Sequence, residues 1–124
     1  MRQDPDCTFC KIVRGEIPSR KVYEDDAMLA FHDIHPAAPV HLLLIPKSHI
    51  ASLYEAGDED TAVLGRLLSQ AGRLARMQGA ADGFRAIINT GRVGRQEVMH
   101  VHLHVIGGPD ELGSMIARPG HRGD

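Results

Sequence analysis

Tryptophan is absent from this chain, and other aromatic residues are scarce, with three phenylalanines and two tyrosines. So few rings leave no stacking platform of the kind that binds single-stranded nucleic acid. Positive charge is not in surplus either: 14 Lys and Arg face 16 Asp and Glu, for a formal net charge of -2. That balance argues against nucleic-acid and membrane partners. No apolar run approaches the roughly 20 residues of a bilayer-spanning helix. The opening Met1-Arg2-Gln3-Asp4-Pro5-Asp6 is polar and lacks the apolar centre of a signal peptide. A cytoplasmic protein is expected. Repeats, low-complexity blocks and interdomain linkers are missing too. The 124 residues, 43% of them hydrophobic, suit one domain with a modest core. Residues 1–124 read as that single domain, with flexible tails expected at 1–6 and 110–124.

Cysteine is limited to Cys7 and Cys10, spaced C-x-x-C. In a reducing compartment a structural disulfide is disfavoured. A thioredoxin-like pair needs a βαβ context that is lacking here. Two buried thiols or half of a zinc site remain, since this spacing lets two thiolates reach one tetrahedral ion.

The patterns present define elements. Residues 7–13 read as a short helical segment closed by Gly15 and Pro18. Residues 20–24 and 27–32 read as strands joined across Asp25-Asp26, and 33–39 as a proline-punctuated loop. Residues 41–45 form a near-continuous apolar run, a strand buried on most sides. One long helix is expected over 58–78, with Asp58 as N-cap and Gly79 as terminator. Its apolar stripe is Leu64, Leu67, Leu68, Ala71, Leu74 and Ala75. A strand at 84–89 and a glycine-bearing loop at 90–97 lead into the last strand. The order predicts an α+β fold: a mainly antiparallel sheet of about five strands, one long helix and one short N-terminal helix.

That last strand carries the most informative run, His100-Val101-His102-Leu103-His104-Val105-Ile106. Alternation in a strand puts the three imidazoles on one face and the aliphatic residues on the other. Imidazole titrates near neutrality, so the face is one for handling protons or binding metal. Three histidines on one zinc would suit a hydrolase, but only Glu97 is nearby to activate water. The alternative is covalent catalysis, with a neutral imidazole attacking phosphorus and a neighbouring histidine protonating the leaving group. His32 and His35, at element ends, are expected to be solvated.

The run matches the signature His-x-His-x-His with an apolar continuation. With Phe9-Cys10-Lys11-Ile12, Gly15-Glu16-Ile17-Pro18, Tyr23-Glu24-Asp25-Asp26, Ala30-Phe31-His32-Asp33-Ile34, Pro39-Val40-His41, Ile45-Pro46-Lys47 and Gln96-Glu97-Val98, the chain resembles the histidine triad nucleotide-binding family, in its purine nucleoside phosphoramidase branch. His104 holds the third triad position, where the uridylyltransferase branch carries glutamine.

The resemblance implies a hydrolase that cleaves the bond between a purine nucleoside 5′-phosphate and an amine through a nucleotidyl-histidine. A dinucleoside polyphosphate hydrolase and a nucleotide-binding interaction protein with vestigial hydrolysis are the alternatives. His102 matches the nucleophile, His104 the phosphate contact that assists departure, and His41 and His100 the supporting relay. Asp33 matches the ribose-binding carboxylate. Phe9, Phe31, Ile34 and Leu43 match the base pocket, and Asn89, Gln96, Glu97 and Val98 the phosphate-side loop. A structural zinc on Cys7, Cys10, His49 and His100, a homodimer and no organic cofactor are also implied. Many relatives carry glycine where Arg95 stands, so a positive φ there would leave Arg95 strained; alternatively Arg95 adds a cation near the phosphate.

Overall fold

Residues 28–32 and 40–46 are apolar nearly throughout, and such runs form strands covered on both faces. In the computed structural model, which describes residues 1–116, they are the centre of a five-stranded sheet. The strands are β1 (Lys21–Glu24), β2 (Met28–His32), β3 (Val40–Pro46), β4 (Phe84–Ile87) and β5 (Leu103–Gly107). All neighbours pair antiparallel, in the order β1-β2-β3-β5-β4. Two helices complete the fold, α1 (Thr8–Val13) and α2 (Thr61–Met77). The expected α+β architecture is the one observed.

The two sheet faces bury different things. One face, including Ala30, Leu42, Leu44, Leu103 and Val105, packs on Leu67, Ala71, Leu74 and Ala75 of α2. Arg66 ties the same helix to the β1–β2 turn, donating to Asp25 Oδ2 at 2.7 Å and to the Tyr23 hydroxyl at 2.7 Å. The opposite face carries Leu29, Phe31, Leu43 and Ile45 against Phe9 and Ile12 of α1. Register places His104 opposite Leu43, and His41 opposite Ile106, on that second face. The histidines therefore share a face with the α1 cluster, away from α2. No helix among the described residues is long and apolar enough to cross a membrane.

Four expectations change. The last strand begins at Leu103, not at His100. Extending the register beyond Leu44–Leu103 would set Val101 against Pro46, which has no N–H to continue the ladder. Val101 N–H instead donates to the Ile50 carbonyl at 2.7 Å, and the Pro46 carbonyl accepts from His100 Nε2 at 2.8 Å. The long helix begins at Thr61 after a single 3-10 turn, Asp58–Asp60. Buried Asp60, not Asp58, organises that start by accepting the Gly57 N–H at 3.0 Å and pairing with Arg2. Leu68, placed in the core stripe, is 58% exposed. Finally, residues 1–6 are not a loose tail: Arg2 binds Ser48 and accepts the His49 N–H, and Gln3 donates to the Lys47 carbonyl. Of the other expected tail, the Gly113 carbonyl accepts from Arg85, and 117–124 lie outside the described residues.

Candidate active site

Hydrogen bonds assign a proton position to most histidines of the second face. The Ala37 N–H donates to His41 Nδ1 at 2.9 Å, so the His41 proton sits on Nε2. That Nε2–H faces His104 Nδ1 at 2.9 Å and Asp33 Oδ2 at 3.3 Å. His104 consequently accepts on Nδ1 and carries its own proton on Nε2. His102 Nδ1–H donates to the His100 carbonyl at 2.8 Å, leaving His102 Nε2 as a bare lone pair.

Electrostatics keep the relay neutral. Burial, reinforced by His102 and His41, lowers His104 to about 4 against the pull of Asp33 and Glu97. Burial likewise lowers His41, although Asp33 opposes the shift. The hydrogen bond of His41 Nε2–H is the one to His104, and Asp33 Oδ2 lies beside it at 3.3 Å. His102 is 5% exposed and packed edge-on against Phe9 and His104, with ring centroids 5.1 and 4.9 Å away. Such packing restricts the ring to one orientation.

Two cavities of about 290 Å³ each meet at these rings. The first is walled by Phe9, Ile12, Phe31, Ile34, Leu43 and Val98. The second is polar, with His35, His41, Asn89 and Arg95. Asp33, Glu97, His102 and His104 line both. A flat apolar group with a polar extension fits this pairing, the extension passing the histidines.

The loop bounding the polar cavity is held by Gln96. Its Oε1 accepts the Gly91 N–H at 2.9 Å, and its Nε2 donates to the Ala51 and Val98 carbonyls at 2.7 and 3.0 Å. Gly94 sits so close to the preceding turn that a Cβ there would lie 2.4 Å from the Thr90 carbonyl oxygen. Arg95 follows with φ 62°, in the left-handed region that favours glycine.

A separate cluster lies behind His102. His100 Nδ1 is 3.3 Å from Cys7 Sγ and 3.6 Å from Cys10 Sγ. His49 Nδ1 is 3.4 Å from Cys10 Sγ and 3.3 Å from His100 Nδ1. A tetrahedral zinc with bonds of about 2.3 Å to sulfur and 2.0–2.1 Å to nitrogen has ligand–ligand edges of roughly 3.3–3.8 Å. These four distances fall within that range. His100 also has its other nitrogen on the Pro46 carbonyl, which presents a bare Nδ1 to the cluster, the usual arrangement of a ligating imidazole. Burial raises the Cys10 thiol above its ordinary value, and a cation would reverse that cost.

Most residues singled out in the sequence come together here: His41, His102, His104, Asp33 and Asn89 with the apolar wall, and Cys7, Cys10, His49 and His100 as the cluster. Two assignments change. His100 lines neither cavity; its ring belongs to the sulfur cluster, and its carbonyl is what reaches His102. Gln96 lines neither cavity and acts as a brace. Among the described residues no ligand group unites His100, His102 and His104, so the reading of the triad as one zinc site is set aside. His35 is exposed, as expected of a solvated residue, and His32 is half-buried; they line the polar and apolar cavities respectively. His35 could have been found through Asp33, whose Oδ1 accepts the His35 N–H at 2.8 Å in an Asx turn. Nothing local marks His32 as a cavity residue.

Residues 14–111 match the HIT domain family. The chain is 50% identical over 103 residues to Protein HitA of Neisseria gonorrhoeae, covering 83% of this chain and 96% of that one. It is 47% identical over 113 residues to a purine nucleoside phosphoramidase of Escherichia coli, covering 90% and 94%. A HIT family hydrolase from Legionella pneumophila superposes with a TM-score of 0.81 at 47% identity, covering 85% of this chain and 95% of the other. The extent of the family match and these identities agree with the geometry of the histidine face, and the chain belongs to the HIT domain family.

Proposed function

We propose that this protein is a hydrolase of purine nucleoside 5′-phosphoramidates that works through a nucleotidyl-His102 intermediate. The observation that carries the reading is the hydrogen bond from His102 Nδ1–H to the His100 carbonyl. It holds the imidazole in the one tautomer whose Nε2 can act as a nucleophile. The purine occupies the apolar cavity, Asp33 receives the ribose hydroxyls, and the α-phosphate lies at the junction beside Glu97 and Asn89. The relative named for phosphoramidase activity supports the substrate class.

In the first step His102 Nε2 forms a bond to phosphorus as the P–N bond breaks. The departing nitrogen takes the His104 Nε2 proton and leaves as a neutral amine. The His41 Nε2–H, directed at His104 Nδ1, stabilises His104 as that proton moves. Backbone amides of the loop held by Gln96 offset charge on the non-bridging oxygens. In the second step water attacks phosphorus and returns a proton to His104, the N–P bond to His102 breaks, and the nucleoside monophosphate departs. The sum is substrate plus water giving amine plus nucleotide.

Cys7, Cys10, His49 and His100 fit a zinc ion. With four protein ligands it would have no open position, so its chemistry is to cross-link α1, the segment after β3 and the backbone carbonyl that orients His102. The free thiols and proposed zinc suit a cytoplasmic setting. A C2 homodimer is supported by apolar surface beside an unpaired sheet edge: Leu68 and Met77 on α2 and Phe84 on β4 are 58%, 57% and 38% exposed. A monomeric mass at micromolar concentration would overturn the dimer.

Rapid-quench experiments with a labelled adenosine phosphoramidate test the mechanism. Labelled protein should accumulate transiently, and His102→Ala should lose turnover by about 10⁴-fold or more while still binding mononucleotide. Near-normal turnover in His102→Ala, with no labelled protein at any time in wild type, would sink the covalent step. It would leave hydrolysis by direct attack of water in its place, whereas a wild type without turnover would favour the interaction-protein reading.

A further inference from the structure

Arg95 stands out in the polar cavity. It is the only described non-glycine residue with positive φ, at 62°, and a bulky side chain in that conformation is uncommon. It is also the only Lys or Arg among the residues lining that cavity, which contains the carboxylates of Asp33 and Glu97. Among the described residues its guanidinium makes no hydrogen bond and no ion pair, unlike Arg14 and Arg66. The left-handed backbone thus sets a solvent-exposed planar cation, without a protein partner among the described residues, at the cavity that the histidines also line.

The position of this cation along a substrate follows from the two cavities. The apolar one takes the base, and Arg95 does not line it. Displacement at phosphorus sets the leaving group opposite the attacking atom. The leaving group must then extend from the phosphate into the polar cavity, where Arg95 is. Guanidinium matches a carboxylate through two parallel N–H donors. We propose that Arg95 is a specificity-determining residue selecting leaving amines that carry a carboxylate, such as amino acids joined through nitrogen to the nucleotide. The proposal rests on the hydrolase reading for the substrate's orientation.

The test uses a matched pair, adenosine 5′-phosphoramidates of glycine and of glycinamide, which differ in one charged group remote from phosphorus. The first measurement is the ratio of kcat/KM values for the two, in wild type, Arg95→Gln and Arg95→Lys. Wild type should favour the glycine compound. Arg95→Gln should lower the ratio by about three- to tenfold, the scale of a partly exposed charge-assisted contact, and Arg95→Lys should retain part of the preference. Added salt should erode the wild-type ratio and leave the Arg95→Gln ratio less affected. The second measurement is calorimetric affinity for the same pair in His102→Ala and His102→Ala/Arg95→Gln. It reads the contact without requiring turnover, so a failure of the hydrolase reading and a failure of the Arg95 assignment give different results. An unchanged ratio in both measurements overturns the proposal, as does uniform slowing of both substrates with equal affinity. Uniform slowing would mean that Arg95 serves the α-phosphate. A wild type without turnover, whose affinity ratio still falls on removal of Arg95, would overturn hydrolysis and leave the recognition site standing.

Discussion

Two groups of histidines lie within a few residues of one another, and their hydrogen-bond polarity is arranged in opposite ways. Between His41 and His104 a donor faces an acceptor at 2.9 Å. The backbone N–H of Ala37 continues the same direction on the far side. Around His100, by contrast, a bare Nδ1, two sulfurs and the Nδ1 of His49 converge on one point. Alternating polarity passes a proton along with little rearrangement. Converging acceptors are stable only around a shared cation or with thiol protons divided among them. The same side chain thus serves two chemistries, and the direction of its neighbours decides which.

The comparison breaks most severely at the proposed zinc site. Stripping metal with a strong chelator, or replacing Cys10 by Ala, should lower stability by at least about 3 kcal/mol, near 10 °C in Tm. The chelator arm separates metal loss from the small cavity that Cys10→Ala leaves. Metal analysis and thiol titration are the accompanying checks. A metal-free protein of equal Tm, with both thiols freely titratable, would mean that the cluster is only a buried thiol pair.

The next largest effect lies in the relay. His104→Ala removes the donor to the leaving nitrogen and should cost about 10²–10⁴ in kcat. The loss should be greatest for strongly basic amines and least for leaving groups that depart without a proton. Equal losses across a series of leaving groups would make His104 a contact for phosphate alone.

The smallest effect is on stability as a function of pH. His104 has its folded value lowered to about 4, from an ordinary value near 6.5. Between these limits the unfolded chain binds more protons than the folded one, so stability is complete above about 6.5 and falls as pH drops toward 4. The cost over that window is on the order of 2 kcal/mol for His104 after allowing for its partial exposure. Urea midpoints at pH 7 and pH 5 in metal-saturated wild type and His104→Gln measure it. A variant with the wild-type pH slope would show that His104 is not the source of this dependence.

Much of this organisation is legible in the sequence because it follows from local periodicity. The β3 run reads as a strand covered on most sides, and the 3.6-residue stripe of α2 predicts Leu67, Ala71 and Leu74 in the core. The alternation of the triad also survives in part: His102 and His104 do face the apolar cavity that holds Phe9 and Leu43. What is not legible depends on distant partners. Pro46, more than fifty residues away in sequence, ends the ladder and frees His100 to turn toward the sulfurs. Leu68 fits the stripe by spacing, but no element among the described residues covers it. Arg95 and His35 reach the polar cavity because two loops from opposite ends of the sheet fold together, and no pattern in either loop encodes the other. The resemblance to the family, not periodicity, supplied His49.

Gln96 shows how narrowly such a loop can be specified. One amide accepts from Gly91 and donates to both Ala51 and Val98, joining three separate stretches of backbone. Volume is a minor part of that role. Glutamate has nearly the same shape but presents an acceptor where two carbonyl oxygens wait for a donor, so the isosteric acid would turn two attractions into repulsions. The loop's shape depends on which end of one side chain carries hydrogen.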